Sequence, residues 1–304
     1  MGAGAFPVYK LLMKKYDFQI CGMHLTLAAS RPLKTGGDML HFTCGKQHAG
    51  LTVACNTTAQ IPEPQGEVRS RRTEWLVCLQ GSIVSRCRVT QPDAPPYARL
   101  DYDLSEPSRA KLTVREADWS WATDHLRIWA TLCLPQLLLP FRTLVFHASY
   151  IGCAGKGILF TAPSGTGKST QAELWRVHRG ARVHNGDKAA VTLRESPMVH
   201  GVPFSGTSGI CENVSLPLGA IVVLSQAPEN SVRRLGPVEA VSALCSNLFV
   251  DQCIRQEWQL ALNLLLDFVA SVPVYALACT PDERAVEALE QAMGDVQRLD
   301  KKVE

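Results

Sequence analysis

No Cys-x-x-Cys pair occurs in this chain of 304 residues, although it carries 11 cysteines. Cys21, Cys44, Cys55, Cys78 and Cys87 are scattered through the first third and the rest are as dispersed. No metal-ligand spacing is therefore present, and the disulfide framework of a short secreted domain is not expected. A run of about 18 uninterrupted apolar residues is also missing, which argues against a helical membrane span. The nearest candidate, Ile128 to Phe141, is interrupted by Pro135 and Pro140. Met1 to Tyr9 lacks a basic segment leading into a long apolar one, and Phe6 stands where a myristoylation motif starting at Gly2 needs Ser or Thr. Excess charge is scarce: 31 Lys plus Arg against 28 Asp plus Glu leave a net charge of +3, too little for a broad basic face on nucleic acid. The expectation is a cytoplasmic protein with reduced thiols that engages neither nucleic acid nor membrane.

What is present is a globular composition, with 46% hydrophobic and 19% charged residues. The length fits one large domain or two modest ones. Val8 to Arg115 reads as β-rich: apolar stretches at Phe18 to Leu27, Leu51 to Cys55, Trp75 to Val84 and Lys111 to Val114 alternate with turn-forming clusters. Asp124 to Leu139 reads as a helix. From Thr143 onward, strand candidates at residues 143–146, 157–161, 189–193, 219–224 and 272–277 alternate with helices at 238–248, 257–270 and 281–293. The helix over 257–270 is apolar almost all round and should be buried. These patterns predict an α/β (α+β) chain with a β-rich module over residues 1–120 and a second domain over 121–304.

The sharpest pattern is Gly157-Ile-Leu-Phe-Thr-Ala-Pro-Ser-Gly-Thr-Gly-Lys-Ser-Thr170. A short apolar strand enters a glycine-rich turn, and Gly-Lys-Ser-Thr opens a helix through Arg176. This is a Walker A (P-loop) pattern with Ala162 in place of its first glycine. Ser164, Gly165, Thr166, Gly167, Lys168, Ser169 and Thr170 are the candidate nucleotide-binding residues. Glycines let backbone N–H groups curl around phosphate oxygens, the helix N-terminus adds partial positive charge, Lys168 would reach the β- and γ-phosphates, and Ser169 would ligate Mg²⁺. Roughly 20 residues later comes Asn185-Gly186-Asp187, where Asp187 is placed to hold Mg²⁺ or accept a proton from a hydroxyl. Upstream, Phe146-His147-Ala-Ser149 ends a strand from which His147 could approach the same phosphates.

His147, Ser164 to Thr170 and Asn185 to Asp187 together resemble the HPr kinase/phosphorylase and ATP-dependent phosphoenolpyruvate carboxykinase superfamily. The nearer likeness is to HPr-kinase-like proteins, some of them encoded with peptide-modification genes in bacteria. Gly201 to Gly206, Pro217 to Leu224, Gln226 to Asn230, Val272 to Tyr275 and Cys279 to Asp282 extend the resemblance, which spans about Leu144 to Leu289. It implies an HPr kinase/PEP carboxykinase-like P-loop domain preceded by the smaller β-rich module. It further implies an ATP- and Mg²⁺-dependent kinase whose catalytic residues are Asp187, Lys168 and His147, with Ser169 and Asp187 at the metal. The acceptor would be a hydroxyl, a serine of a peptide or small protein first and free serine next, and members of the family form hexamers, so a homo-oligomer is expected. The family often has two adjacent acids where this chain has Gly186-Asp187. Two other readings stay open: a catalytically silent nucleotide-binding partner protein whose β-rich module recognises a peptide, and a carboxykinase-like lyase. Ser205 to Gly209, leading into Cys211-Glu212-Asn213, reads as either a wall over the phosphates or a plain loop. The basic cluster Arg69, Arg71, Arg72, Arg86 and Arg88 reads as solvated loop charge or as a receiver for an acidic peptide.

Overall fold

A computed structural model describes residues 13–47 and 50–300, with side chains to 294; the reading of Met1 to Tyr9 lies outside these residues. The chain divides into two compact units, Met1–Leu132 and Cys133–Glu304, a boundary somewhat later than the expected 120/121.

The first unit is an eight-stranded sheet: β1 (Lys14–Ile20), β2 (Met23–Ala29), β3 (Leu51–Thr58), β4 (Glu67–Arg72), β5 (Trp75–Gln80), β6 (Ile83–Arg88), β7 (Ala98–Asp103) and β8 (Glu106–Arg115). Their order is β1-β2-β3-β8-β7-β6-β5-β4. β3 runs parallel to both β2 and β8, and the other pairs are antiparallel. Two of the apolar stretches are each a hairpin of two strands. Phe18 to Leu27 folds back at Cys21-Gly22, both at positive φ (53° and 69°), a mirror-image turn that suits strand twist. Trp75 to Val84 does the same at Gly81, φ 62°. The basic cluster lies on strands, not in a loop: Arg86 is 3% exposed and donates from Nε to the Tyr102 hydroxyl at 2.8 Å, while Arg88 stacks on Trp75 at 3.9 Å.

The helix expected over 124–139 is broken into α1 (Trp119–Ala122), α2 (Ile128–Thr131) and α3 (Leu134–Leu138). Cys133 adopts a left-handed conformation (φ 47°), and Pro135 has no N–H to continue a ladder. Asp124 instead builds the turn that leads into α2, its Oδ1 accepting the N–H groups of Leu126 (3.0 Å) and Arg127 (2.9 Å).

The second unit holds β9 (Thr143–Cys153), β10 (Lys156–Thr161), α4 (Lys168–Arg179), β11 (Arg182–Asn185), β12 (Lys188–Leu193), β13 (Pro197–Gly201), β14 (Ser215–Gln226), β15 (Ser231–Arg234), α5 (Pro237–Cys245), α6 (Arg255–Ser271), β16 (Val274–Cys279) and α7 (Glu283–Asp300). The strand order is β10-β9-β12-β13-β14-β16-β15, and β10 also pairs with β14 in parallel. β9 and β14 are long enough to change partners along their length. Residues 143–147 of β9 pair with β12, and residues 148–153 pair with β10. Strand alternation sorts side chains to two faces. Leu159, Ile221 and Val274 join Leu244, Leu264 and Phe268 of α5 and α6. Ile158, Phe160 and Val222 join Ala172 and Trp175 of α4 and Val286 and Leu289 of α7. Helix α6 buries only one side, since Leu260 and Leu266 are 37% and 52% exposed. Pro281 lies just before α7, whose first turn is capped by Asp282 Oδ1 accepting the Arg284 N–H at 3.1 Å. Among the described residues, no helix is long and apolar enough to cross a membrane.

Candidate functional site

Strand β10 delivers the chain into the glycine-rich loop, and α4 leaves it at Lys168. Phe160 and Ala162 are fully buried in the core formed with Ala172 and Trp175 of α4, so strand and helix clamp the loop from both sides. This explains Ala162: its methyl packs in that core, where a glycine would leave a gap. Beyond it the backbone turns through Gly165 (φ 79°) and Gly167 (φ 118°), and the space a Cβ would fill at either is open. Among the described residues no side chain caps α4, so its first-turn N–H groups have no intrahelical partner. Lys168 is 7% exposed and its ammonium donates to the loop's own carbonyls, Ala162 O at 2.9 Å and Pro163 O at 3.2 Å. Burial holds it below the usual lysine range, with Asp187 partly opposing. A loop with open backbone donors, an uncapped helix N-terminus and a captive lysine fits a polyphosphate. Ser164, Gly165, Ser169 and Thr170 are exposed on it, and Thr166 and Gly167 are half-buried.

Asp187 sits on the turn from β11 to β12. Asn185, fully buried, builds that turn: its Oδ1 accepts the N–H groups of Asp187 (2.9 Å) and Lys188 (3.0 Å). Its Nδ2 donates to Val202 O (3.1 Å) and Phe204 O (2.9 Å). His147 is not at a strand end as expected. It lies within β9 where that strand passes from β12 to β10, directly opposite Lys188. The register places His147 Nε2 3.6 Å from Asp187 Oδ1, with both side chains partly open to solvent (30% and 24%). Lys188 completes the cluster: its ammonium pairs with Asp187 Oδ2 and lies 5.3 Å and 5.0 Å from the ring centres of Phe204 and Phe249. Burial, with Lys168 and Lys188 adding to it, holds the His147 imidazole below the ordinary histidine range against the opposing charge of Asp187. At neutral pH His147 is therefore an uncharged hydrogen-bonding group.

A third segment covers this turn. Gly206 (φ 57°) packs on Asp187, where a Cβ would lie 2.4 Å from Asp187 Cβ. A Cβ on Gly186 would lie 2.4 Å from Ser208 Oγ, so the position beside Asp187 has no room for a second acid while this segment is in place. The segment ends at Glu212, whose carboxylate pairs with His184 Nδ1 at 2.7 Å and with Arg182 at 2.6 Å.

The structure thus gathers Lys168, His147 and Asp187 into one electrostatic neighbourhood beside the loop. Lys188, Phe204, Phe249 and the Asn185 clamp were not among the predicted site residues. Only the β9–β12 register brings Lys188 to His147, and Phe249 comes from a different segment; the Asn-x-Asp spacing was the one local signal for the clamp. Among the described residues no three His, Cys, Asp or Glu side chains converge on a metal position. A Mg²⁺ ion here would draw few ligands from the protein and the rest from a nucleotide and water, which suits that ion.

The model of the SynChlorMet cassette protein ScmC family matches residues 120–294. No curated protein matches the chain. Among solved structures, the HPr(Ser) kinase/phosphatase from Coxiella burnetii is similar at 13% identity over 52% of this chain and 92% of that one, with a TM-score of 0.30. At that score the likeness establishes neither fold nor chemistry.

Proposed function

The chain belongs to the SynChlorMet cassette protein ScmC family, and we propose that it is an ATP- and Mg²⁺-dependent kinase that transfers the γ-phosphate to a hydroxyl, foremost a serine of a peptide or small protein. The observation that supports the reading is the electrostatic proximity of Asp187, His147 and Lys168, the lysine being held by an open, uncapped glycine-rich loop. In this reading the loop amides, the α4 N-terminus and Lys168 hold the phosphates and stabilise charge as the γ-phosphoryl group moves. Asp187 receives the acceptor's proton, and neutral His147 orients that carboxylate or the phosphate by a hydrogen bond. Ser169 and Asp187 would hold Mg²⁺, which when bound neutralises phosphate charge. The resemblance to HPr-kinase-like sequences supports the acceptor class.

One observation favours a second reading, a nucleotide-binding partner protein without turnover: Asp187 is already paired with Lys188, and Ser208 leaves no space for another acid at Gly186. Mass spectrometry of candidate acceptors after incubation with ATP and Mg²⁺ separates the two. The panel holds serine-containing peptides, a small carrier protein and free serine, with Lys168→Ala as control. The kinase reading expects one added phosphoryl group on a hydroxyl that is lost in the control. Mg²⁺-dependent ATP binding with every acceptor unmodified would favour the silent partner.

A further inference from the structure

The segment between β13 and β14 carries three hydroxyls in four residues, Ser205, Thr207 and Ser208, and it is pinned against the turn that bears Asp187. At one end Asn185 Nδ2 donates to the carbonyls of Val202 and Phe204. At the other, Cys211 bridges to Asn185 and its Sγ donates to Val202 O at 3.0 Å, while the Glu212 N–H donates to His184 O at 3.0 Å. Between these anchors the chain lies on the acid itself. The Cβ position of Gly206 is 2.4 Å from Asp187 Cβ and 3.0 Å from its Oδ2, an approach that glycine allows both by its size and by its positive φ. The Ser208 hydroxyl is engaged, donating to Ser205 O at 2.8 Å and accepting the Ile210 N–H at 3.2 Å. Thr207 is exposed and immediately follows the glycine that touches Asp187. Its hydroxyl is thus one residue along the chain from the glycine that packs on the proton acceptor of the proposed reaction.

We infer that the chain phosphorylates itself on this segment, at Thr207 first; the inference rests on the kinase reading of the site. In the step, Thr207 Oγ1 attacks the γ-phosphorus of bound ATP. The new O–P bond forms as the bond from the γ-phosphorus to the β,γ-bridging oxygen breaks, the hydroxyl proton passes to the Asp187 carboxylate, and ADP leaves. Tethering makes the encounter intramolecular, so the segment competes well against any acceptor that must diffuse in. The product is a phosphothreonine dianion on a segment packed against the Asp187–Lys188 turn, where a charge-assisted bond to the Lys188 ammonium would fasten the segment over the site.

The test is a time course of the purified full chain with ATP and Mg²⁺, followed by intact mass and peptide mapping, at several protein concentrations. A serine-peptide panel is included in parallel. One phosphoryl group on Ser205, Thr207 or Ser208, gained at a fractional rate independent of protein concentration, is expected. It should be lost in Lys168→Ala and in the triple variant Ser205→Ala/Thr207→Val/Ser208→Ala. A fractional rate that rises in proportion to protein concentration overturns the intramolecular claim without recourse to any variant. Phosphorylated panel peptides with an unmodified segment overturn the inference and leave the kinase reading standing, with the segment as a wall that acceptors displace. Modification of neither, with ATP bound, overturns both.

Discussion

Substituting Gly186→Ala is expected to destabilise the second unit, because Ser208 already occupies the place of the added methyl. That methyl would stand 2.4 Å from Ser208 Oγ and 2.6 Å from Ser208 Cβ, roughly 1 Å inside the optimum separation for non-bonded heavy atoms. Ser208 can retreat only by disturbing its bonds to Ser205 O and from the Ile210 N–H, each worth about 0.5–1.5 kcal/mol. Forced contacts of this kind cost about 1–3 kcal/mol. For a unit of this size each kcal/mol moves the midpoint by about 2–4 °C. Thermal melts of Gly186→Ala, Ser208→Gly and the double variant would measure it. The double variant should melt close to Ser208→Gly alone, giving a coupling energy of about 1 kcal/mol or more. A Gly186→Ala protein that melts with the wild type would refute the packing of the 205–209 segment on the Asp187 turn.

Further outcomes follow from the same geometry. Lys188→Met removes one of the charges that depress the His147 imidazole, so its titration, followed by NMR, should move upward; an unmoved His147 would mean that the pair is not formed in solution. Ala162→Gly should cost about 1 kcal/mol in denaturant melts through the lost methyl and the freer unfolded chain, and leave nucleotide affinity unchanged. His200 is buried between Thr192 and Ser215, its ring nitrogens 2.8 Å and 2.7 Å from their hydroxyls, and burial pulls its pKa down to about 4. Its unfolded value lies near 6.5, so the unfolded chain binds the extra proton between those limits. Stability is full above about pH 6.5 and falls by about 3 kcal/mol as pH drops to 4. Urea unfolding across that window should show the slope, and His200→Gln should flatten it.

The glycine-rich loop was legible because everything it needs is local: an apolar strand, two glycines at positive φ and a helix start within fourteen residues of sequence. Asp187 was legible for the same reason, through Asn185 two positions earlier. Hairpin turns were less so. Cys21-Gly22 lacks the Asn-Gly signature that marks such a turn, so the apolar stretch around it shows no internal break. β4, with the sequence EVRSRR, and β7, with ARLDYD, escaped because an edge strand and a charged strand carry little apolar alternation. The broken helix over 124–139 misled through composition, since Leu and Trp suit buried short turns as well as a long helix. Lys188 and the Glu212–His184 pair depend on strand register and on partners 28 residues apart, and no local pattern encodes those.

The central claim, that Asp187 takes the proton in a phosphoryl transfer at this loop, is tested most directly by measuring ATP binding and phosphate transfer side by side in Asp187→Asn. The substitution keeps the shape of the turn and removes the base. The account predicts that ATP still binds through the loop and Lys168, with a weaker dependence on Mg²⁺ because Asp187 is also a proposed metal ligand, and that transfer to any hydroxyl, the chain's own or a peptide's, falls by about 10²–10⁴ at saturating Mg²⁺. Transfer at the wild-type rate would contradict it.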